Sequence, residues 1–207
     1  MSHHPPAIFI ADSRGLDFLN SVATPVDTPI DWLEDGDGLL DWLKQAKLVP
    51  SEVLNEMRAR AKPGELDKVA EQARSLRDWC RGFVRKHMGR PLKSEALREL
   101  GSLNRLLERD ETFSQIHHRH DATGDHLALR LTRRWRSPES LLLPIGEALA
   151  QFICEENFSD VKACEGSSCT LMFADHTARR ARRWCSMAIC GNRAKQAAHR
   201  TRLKNKG

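Results

Sequence analysis

The chain has no apolar run approaching the roughly 18 residues that a membrane-spanning helix requires, which excludes a helical membrane protein. Its first fifteen residues, MSHHPPAIFIADSRG, carry neither the cationic region nor the apolar core of a secretory signal. Without export the expected compartment is the reducing cytoplasm, where six cysteines point to metal or free thiols before disulfides. No nucleophile elbow, phosphate-binding glycine loop or His-Glu metal pair occurs, so an enzyme is not expected. Internal repeats and low-complexity segments are absent too, which excludes a solenoid or a disordered tether.

What is present is ordinary in amount and uneven in place. A chain of 207 residues, 40% hydrophobic and 29% charged, can build one good core, or one core with a small satellite. The 44 residues from Cys164 to Gly207 hold ten Lys or Arg against two acids, a local charge of +8. The preceding 163 residues carry 23 bases and 26 acids, or −3. An acidic body with a basic end is the outline of a chain whose end meets a polyanion. A merely solvated basic tail would have the same composition.

The apolar periods predict a mainly helical body. Leu66, Val69, Ala70, Ala73, Leu76, Cys80, Phe83, Val84 and His87 recur at helical spacing between Gly64 and about Met88, with Cys80 as a core thiol. Thr28 and Pro29 read as the start of a short helix, and Asp37 as the cap of the next, with Leu39, Leu43 and Ala46 on one face. Ser51 opens another short helix through Met57. After the break at 89–91, Ser94 opens a helix that points Leu97, Leu100, Leu103 and Leu107 inward as an antiparallel partner to the long one. Residues 8–11, IFIA, read as a strand or as the lead into a helix around 15–23.

Between 113 and 135 the period changes to alternation. Leu127, Leu129 and Leu131 share a face and ATGD lies between the halves, so a β-hairpin is predicted. His118 and His120 would share a strand face, but no thiol or spaced carboxylate completes a metal site there, and they read as surface residues. Ser137 and Pro138 start a last long helix, kinked at Pro144, in which Cys154 packs beside Phe152 and Ile153.

Four of the six cysteines fall in 27 consecutive positions: Cys164-x4-Cys169, a 15-residue spacer, then Cys185-x4-Cys190. Two short thiolate loops joined by a longer connection supply the four soft ligands of a tetrahedral Zn²⁺. Two disulfides would match the count but not the compartment, and no ferredoxin spacing supports an iron–sulfur cluster. His176 could replace a thiol, but a complete set of four makes it unnecessary. Leu171, Met172, Phe173 and Trp184 are nearly all the core this segment has, so metal binding is expected to supply much of its folding free energy. The fold class is therefore α+β, mainly α. A helical domain with one β-hairpin spans residues 1–160, and a small four-cysteine zinc finger with a basic helix spans 161–207.

Two stretches resemble a known pairing of domains. Cys164-x4-Cys169, the run from Arg182 to Met187, and Cys190-Gly191-Asn192-Arg193-Ala194-Lys195 resemble the CGNR zinc finger, named for the residues seen here at 190–193. Leu16-Asp17-Phe18-Leu19-Asn20-Ser21-Val22 and the helix over 37–49 are similar to the ABATE domain that accompanies that finger. The first loop, CEGSSC, lacks the proline common there. The resemblance implies a bacterial protein of a family put forward as transcription regulators, with the finger as the DNA-binding part.

The residues carry a physical version of the same idea. Arg179, Arg180, Arg182 and Arg183 fall within five positions inside the spacer. Asn192 is placed to cap a helix carrying Arg193, Lys195, His199, Arg200 and Arg202, with Ala194, Ala197 and Ala198 allowing close approach to the metal loops. Asn192 and Arg193 read equally as structural braces next to a ligand. Asn20, near Phe18 and Val22, reads either as facing a ligand pocket or as a buried amide holding backbone. Duplex DNA is the expected partner, with RNA the alternative and protein docking around a purely structural zinc the second alternative. The acidic body would sense an effector or form a homodimer.

Overall fold

A computed structural model describes residues 5–24, 28–121 and 124–204, without the side chains of 203 and 204. The body contains helices α1 (Arg14–Leu19), α2 (Gly36–Ala46), α3 (Ser51–Arg60), α4 (Glu65–His87), α5 (Gly101–Leu107) and α6 (Leu142–Glu155). Two strands of two residues each, β1 (Val22–Ala23) and β2 (Ile30–Asp31), pair antiparallel after α1, and a long ribbon, β3 (Thr112–Asp121) with β4 (Gly124–Arg133), stands between α5 and α6. The C-terminal segment adds the hairpin β5 (Val161–Ala163) and β6 (Met172–Ala174), then α7 (Asn192–Lys204). The architecture is mainly α with three small two-stranded sheets.

The long helix and the ribbon lie where the periods place them. Of the predicted stripe, Val69, Ala70, Ala73, Cys80, Phe83 and Val84 are buried on α4, and burial pushes the Cys80 thiol up to about 12. The ribbon pairs Phe113 with Thr132 through Asp121 with Gly124. Of the predicted ATGD turn, Ala122 and Thr123 lie outside the described residues.

Several local expectations are corrected. Thr28 and Pro29 lead into β2 rather than a helix, because Trp32 donates its backbone N–H to Ser21 O at 2.9 Å and draws the segment back onto β1. Asp35, not Asp37, caps α2, accepting from Gly38 N at 2.8 Å. Asp37 is helical and pairs with Arg58 instead. The segment from Ser94 is a 3-10 turn that leaves Leu97 exposed and buries Ala96, and α5 packs chiefly on α6 rather than on α4. Pro144 does not kink α6: the helix starts at Leu142, so Pro144 occupies the first turn, where its missing N–H has no helical partner to lose. Cys154 is exposed, since Phe152 and Ile153 take the buried face of α6.

Short helix α1 organises the core. Gly15, Leu16, Asp17, Phe18 and Leu19 are all buried, so it is apolar around most of its circumference and must be covered on every side. A Cβ on Gly15 would lie 2.6 Å from Ala148 O and from Phe152 Cβ, so only glycine permits this approach of α1 to α6. Buried Asp17 accepts backbone bonds from Ile10 and Ala11, each 3.1 Å. Arg77 is buried and reaches both oxygens of Asp31 at 2.7 and 2.8 Å, locking α4 to β2.

The C-terminal segment shares this core. Leu171, Met172, Phe173 and Ala174 are buried in one cluster with the helices, and β6 packs against α1. Asn20, completely buried, donates to Met172 O at 2.8 Å and accepts from Met172 N at 2.9 Å. Arg81 of α4 donates to Leu19 O and, at 3.2 Å, to Thr170 O, and burial pulls its guanidinium down to about 10. The expected boundary near 160 is thus crossed by packing and by paired backbone groups. Replacing Asn20 with Ala strands a buried N–H and a buried C=O at Met172, each costing about 1–3 kcal/mol. Asn20→Ala should therefore lower stability by roughly 2–5 kcal/mol, read as a shift in the urea midpoint at constant slope.

Candidate metal centre

The β5–β6 hairpin carries the first pair of thiols in its loop. Cys164 N bonds to Leu171 O at 2.9 Å, and Cys169 N to Gly166 O at 3.0 Å, which folds CEGSSC into a tight knuckle. A Cβ on Gly166 would lie 3.0 Å from Cys190 Sγ, so the glycine leaves room for the opposing sulfur. The second pair sits at the start of a helical run. Ser186 caps a wide turn over Met187–Gly191, accepting from Ala188 N at 3.2 Å, and Cys190 N bonds to Ser186 O at 3.0 Å. Glu165 N to Arg183 O, 3.0 Å, ties one knuckle to the other.

All four Sγ atoms lie within 4.8 Å of one another. Cys169 and Cys185 sulfurs are 3.8 Å apart, and those of Cys185 and Cys190 are 3.6 Å apart. A disulfide needs about 2.05 Å, whereas the edge of a tetrahedron with metal–sulfur bonds of about 2.3 Å is about 3.8 Å. The spacing is that of four ligands around one ion. Cys164 Sγ also accepts from the N–H groups of Cys185 at 3.2 Å and Gly166 at 3.4 Å.

As bare thiols Cys169, Cys185 and Cys190 could not all ionise together. A hydrogen bond from Cys185 holds Cys169 down to about 5. Burial pushes Cys190 up to about 11, and the bond to Cys169, together with burial, pushes Cys185 higher still. One thiolate therefore forces protons onto its neighbours, and only a cation among them lets all four carry charge. The donor set fits a soft, four-coordinate metal ion. Among the described residues this is the single cluster of three or more ligating side chains.

Comparison with known families agrees with that geometry. Residues 12–156 match the ABATE family, described as "Putative stress-induced transcription regulator", and residues 161–203 match the CGNR zinc finger. The chain belongs to the ABATE family. No curated protein matches it.

Around the CGNR finger, the basic residues divide into two groups. Arg182 is a brace: its guanidinium lies 4.2 Å from the Phe173 ring centroid and donates to Trp184 O at 3.1 Å, to Cys185 O, and to Ile10 O at 3.3 Å. It therefore joins the second knuckle to the ABATE body. Arg180 donates to Asp175 O and pairs with Asp160 at 3.3 Å. Arg193 donates to Ile189 O at 3.1 Å and reaches Cys190 Sγ at 3.8 Å, the position of a residue that orients a ligand. Arg183 pairs with Glu165 at 2.6 Å and lies over Trp184 at 5.1 Å. Arg179, Lys195, Arg200 and Arg202 are exposed and make no ion pair among the described residues.

One expectation is corrected here. Asn192 does not cap α7, because it already has helical angles, φ −67° and ψ −38°, and Ser186 caps the preceding turn. Of the two readings of Asn20, the geometry is that of the buried amide holding backbone, with both ends committed to Met172.

Sequence reasoning missed Asp175. It is fully buried and accepts from Lys162 Nζ at 2.7 Å, Thr177 Oγ1 at 2.6 Å, Thr177 N at 3.1 Å and Arg182 N at 2.8 Å. Burial opposes its charge, but Lys162 and these donors outweigh it and hold the carboxyl well below the usual carboxylate range. The Asp-x-Thr spacing at 175–177 is the signal of a side-chain turn that could have found it.

Since Cys80 and Cys154 lie outside the cluster, Cys80→Ala and Cys154→Ala should retain about one metal equivalent per chain by elemental analysis. Cys185→Ser should lose it. Loss of metal from either alanine variant would refute the ligand set.

Proposed function

We propose that the chain is a zinc-dependent, nucleic-acid-binding regulator whose CGNR finger contacts duplex DNA. The four-cysteine set is saturated, so zinc here is structural rather than catalytic, and the protein is not an enzyme on this reading. The observation that carries the proposal is the position of Arg179, Lys195, Arg200 and Arg202. They are exposed without ion-pair partners among the described residues, on segments fixed to one metal cluster. A cationic surface of fixed shape loses little entropy on meeting a phosphate backbone. Match to a family described as transcription regulators supports the same reading. The ABATE body, with its excess of acids, is the sensing or dimerising part.

RNA is the second reading, favoured by one feature. Trp184, Met187, Arg179 and Arg183 line a groove of about 720 Å³, and a half-buried indole beside arginines suits an unpaired base. Affinity for duplex DNA and for structured RNA, measured at one salt concentration, separates the two.

With four to five phosphate contacts, log affinity for duplex DNA should fall against log salt with a slope of about −4. Arg179→Ala should flatten it by about one unit and weaken all sequences alike. Arg182→Ala should act differently, lowering the thermal stability of the finger because it removes a brace. If the zinc-loaded chain binds neither duplex DNA nor RNA more tightly than Cys185→Ser at low salt, the finger is a docking or purely structural module.

A further inference from the structure

The β3–β4 ribbon has its apolar residues on the wrong side for a ribbon that ends in solvent. In the register of the pair, Ser114 faces Leu131, Ile116 faces Leu129 and His118 faces Leu127, and paired residues share a face. Ile116, Leu127, Leu129 and Leu131 are 68%, 75%, 73% and 66% exposed. The opposite face carries Phe113 and Ala128 with the polar residues Gln115, His117, Arg130 and Thr132, and there Phe113, His117, Ala128 and Thr132 are half-buried. A shift of one residue would exchange the two faces, so the alternation is a definite choice. Four such side chains present on the order of 500 Å² of apolar surface, at the upper end of what a lone protein leaves uncovered.

We propose that this face is a self-association surface, on which a second copy of the chain packs about a two-fold axis through the Ile116–Leu129 pair. It deepens the dimerising role proposed for the ABATE body and does not depend on the finger's nucleic-acid contacts. On β4 the row is symmetric about that pair, with Leu127 and Leu131 flanking Leu129, while on β3 Ser114 and His118 flank Ile116. A two-fold placed there sets Leu131 against Leu127 of the other copy and Ser114 against His118, so each contact occurs twice, as an isologous interface requires. It also sets Asp125, at one end of the ribbon, toward the basic residues at the other end. There Lys44 and Lys47 line a pocket with Leu131 and Trp135, and neither lysine has an ion-pair partner among the described residues. Asp125 itself holds His120 at 2.5 Å and His118 at 3.4 Å. An unrelated partner would need neither the mirrored apolar row nor the opposed charges at its ends. Two copies together would remove about 1,000 Å² of apolar surface, at the lower bound for a specific interface.

The test is the mass in solution of the full, metal-loaded chain from about 1 to 100 µM, without nucleic acid. The wild type should sediment at twice 23.5 kDa. Leu129→Asp puts two carboxylates against each other at the axis and should weaken association at least about 100-fold, with the circular dichroism spectrum and metal content unchanged because the side chain is exposed in the single chain. Gln115→Asp, on the opposite face of the same ribbon, should leave the dimer intact. A wild type that stays single throughout overturns the proposal and leaves the face to a different protein. A Leu129→Asp chain that remains double overturns it as well, by placing the dimer contact elsewhere.

Discussion

Four sulfur atoms drawn within 4.8 Å of one another, three of them buried, can all be anionic only around a cation, and the C-terminal segment is laid out around that requirement. Glycine at 166 opens space for Cys190. Backbone N–H groups of Gly166 and Cys185 turn toward Cys164. The second knuckle is built as the first turn of a helical run, so closing the cluster also fixes the direction in which α7 leaves it. Apart from Arg193, which reaches Cys190 Sγ, the cations of α7 gain a defined position from a site in which they take no part.

The cluster does not hold the finger alone. Leu171 to Ala174, which would be a meagre core by themselves, complete the core of the ABATE body. Asn20, Arg81 and Arg182 each cross the seam to backbone groups. The family's opening run, Leu16 to Val22, is consequently a structural hub: Asp17 secures the incoming chain, Asn20 secures β6, and the carbonyls of Leu19 and Val22 receive Arg81. Thiol cluster, seam and body are joined by contiguous packing.

Features whose partners lie nearby in sequence were legible from it. The thiol pairs, the α4 stripe and the alternation of the ribbon each carry their own period or spacing, and each is present. Features that depend on distant partners were not. Asn20 meets a residue 152 positions away and Arg81 one 89 positions away, so no local pattern distinguishes a brace from a ligand contact. The arginine cluster shows the same difficulty: Arg182 and Arg180 serve backbone carbonyls while Arg179 is left outside. The helix after Ser94 was assigned the wrong neighbour because leucines at helical spacing state that a face is covered, not by which element. The exposed leucines of the ribbon were read as one face, yet the sequence has no means of telling an inward face from one that awaits a partner.

Coupling between the metal and the body is the claim on which the rest depends. Hydrogen exchange of backbone amides, followed in the zinc-loaded chain and after chelation, measures it directly. If the seam is as drawn, chelation should speed exchange in α1 and along the buried face of α4 together with the knuckles. Exchange that rises only in residues 164–204, with α1 and α4 as protected as before, would contradict the account and make the finger an independent unit.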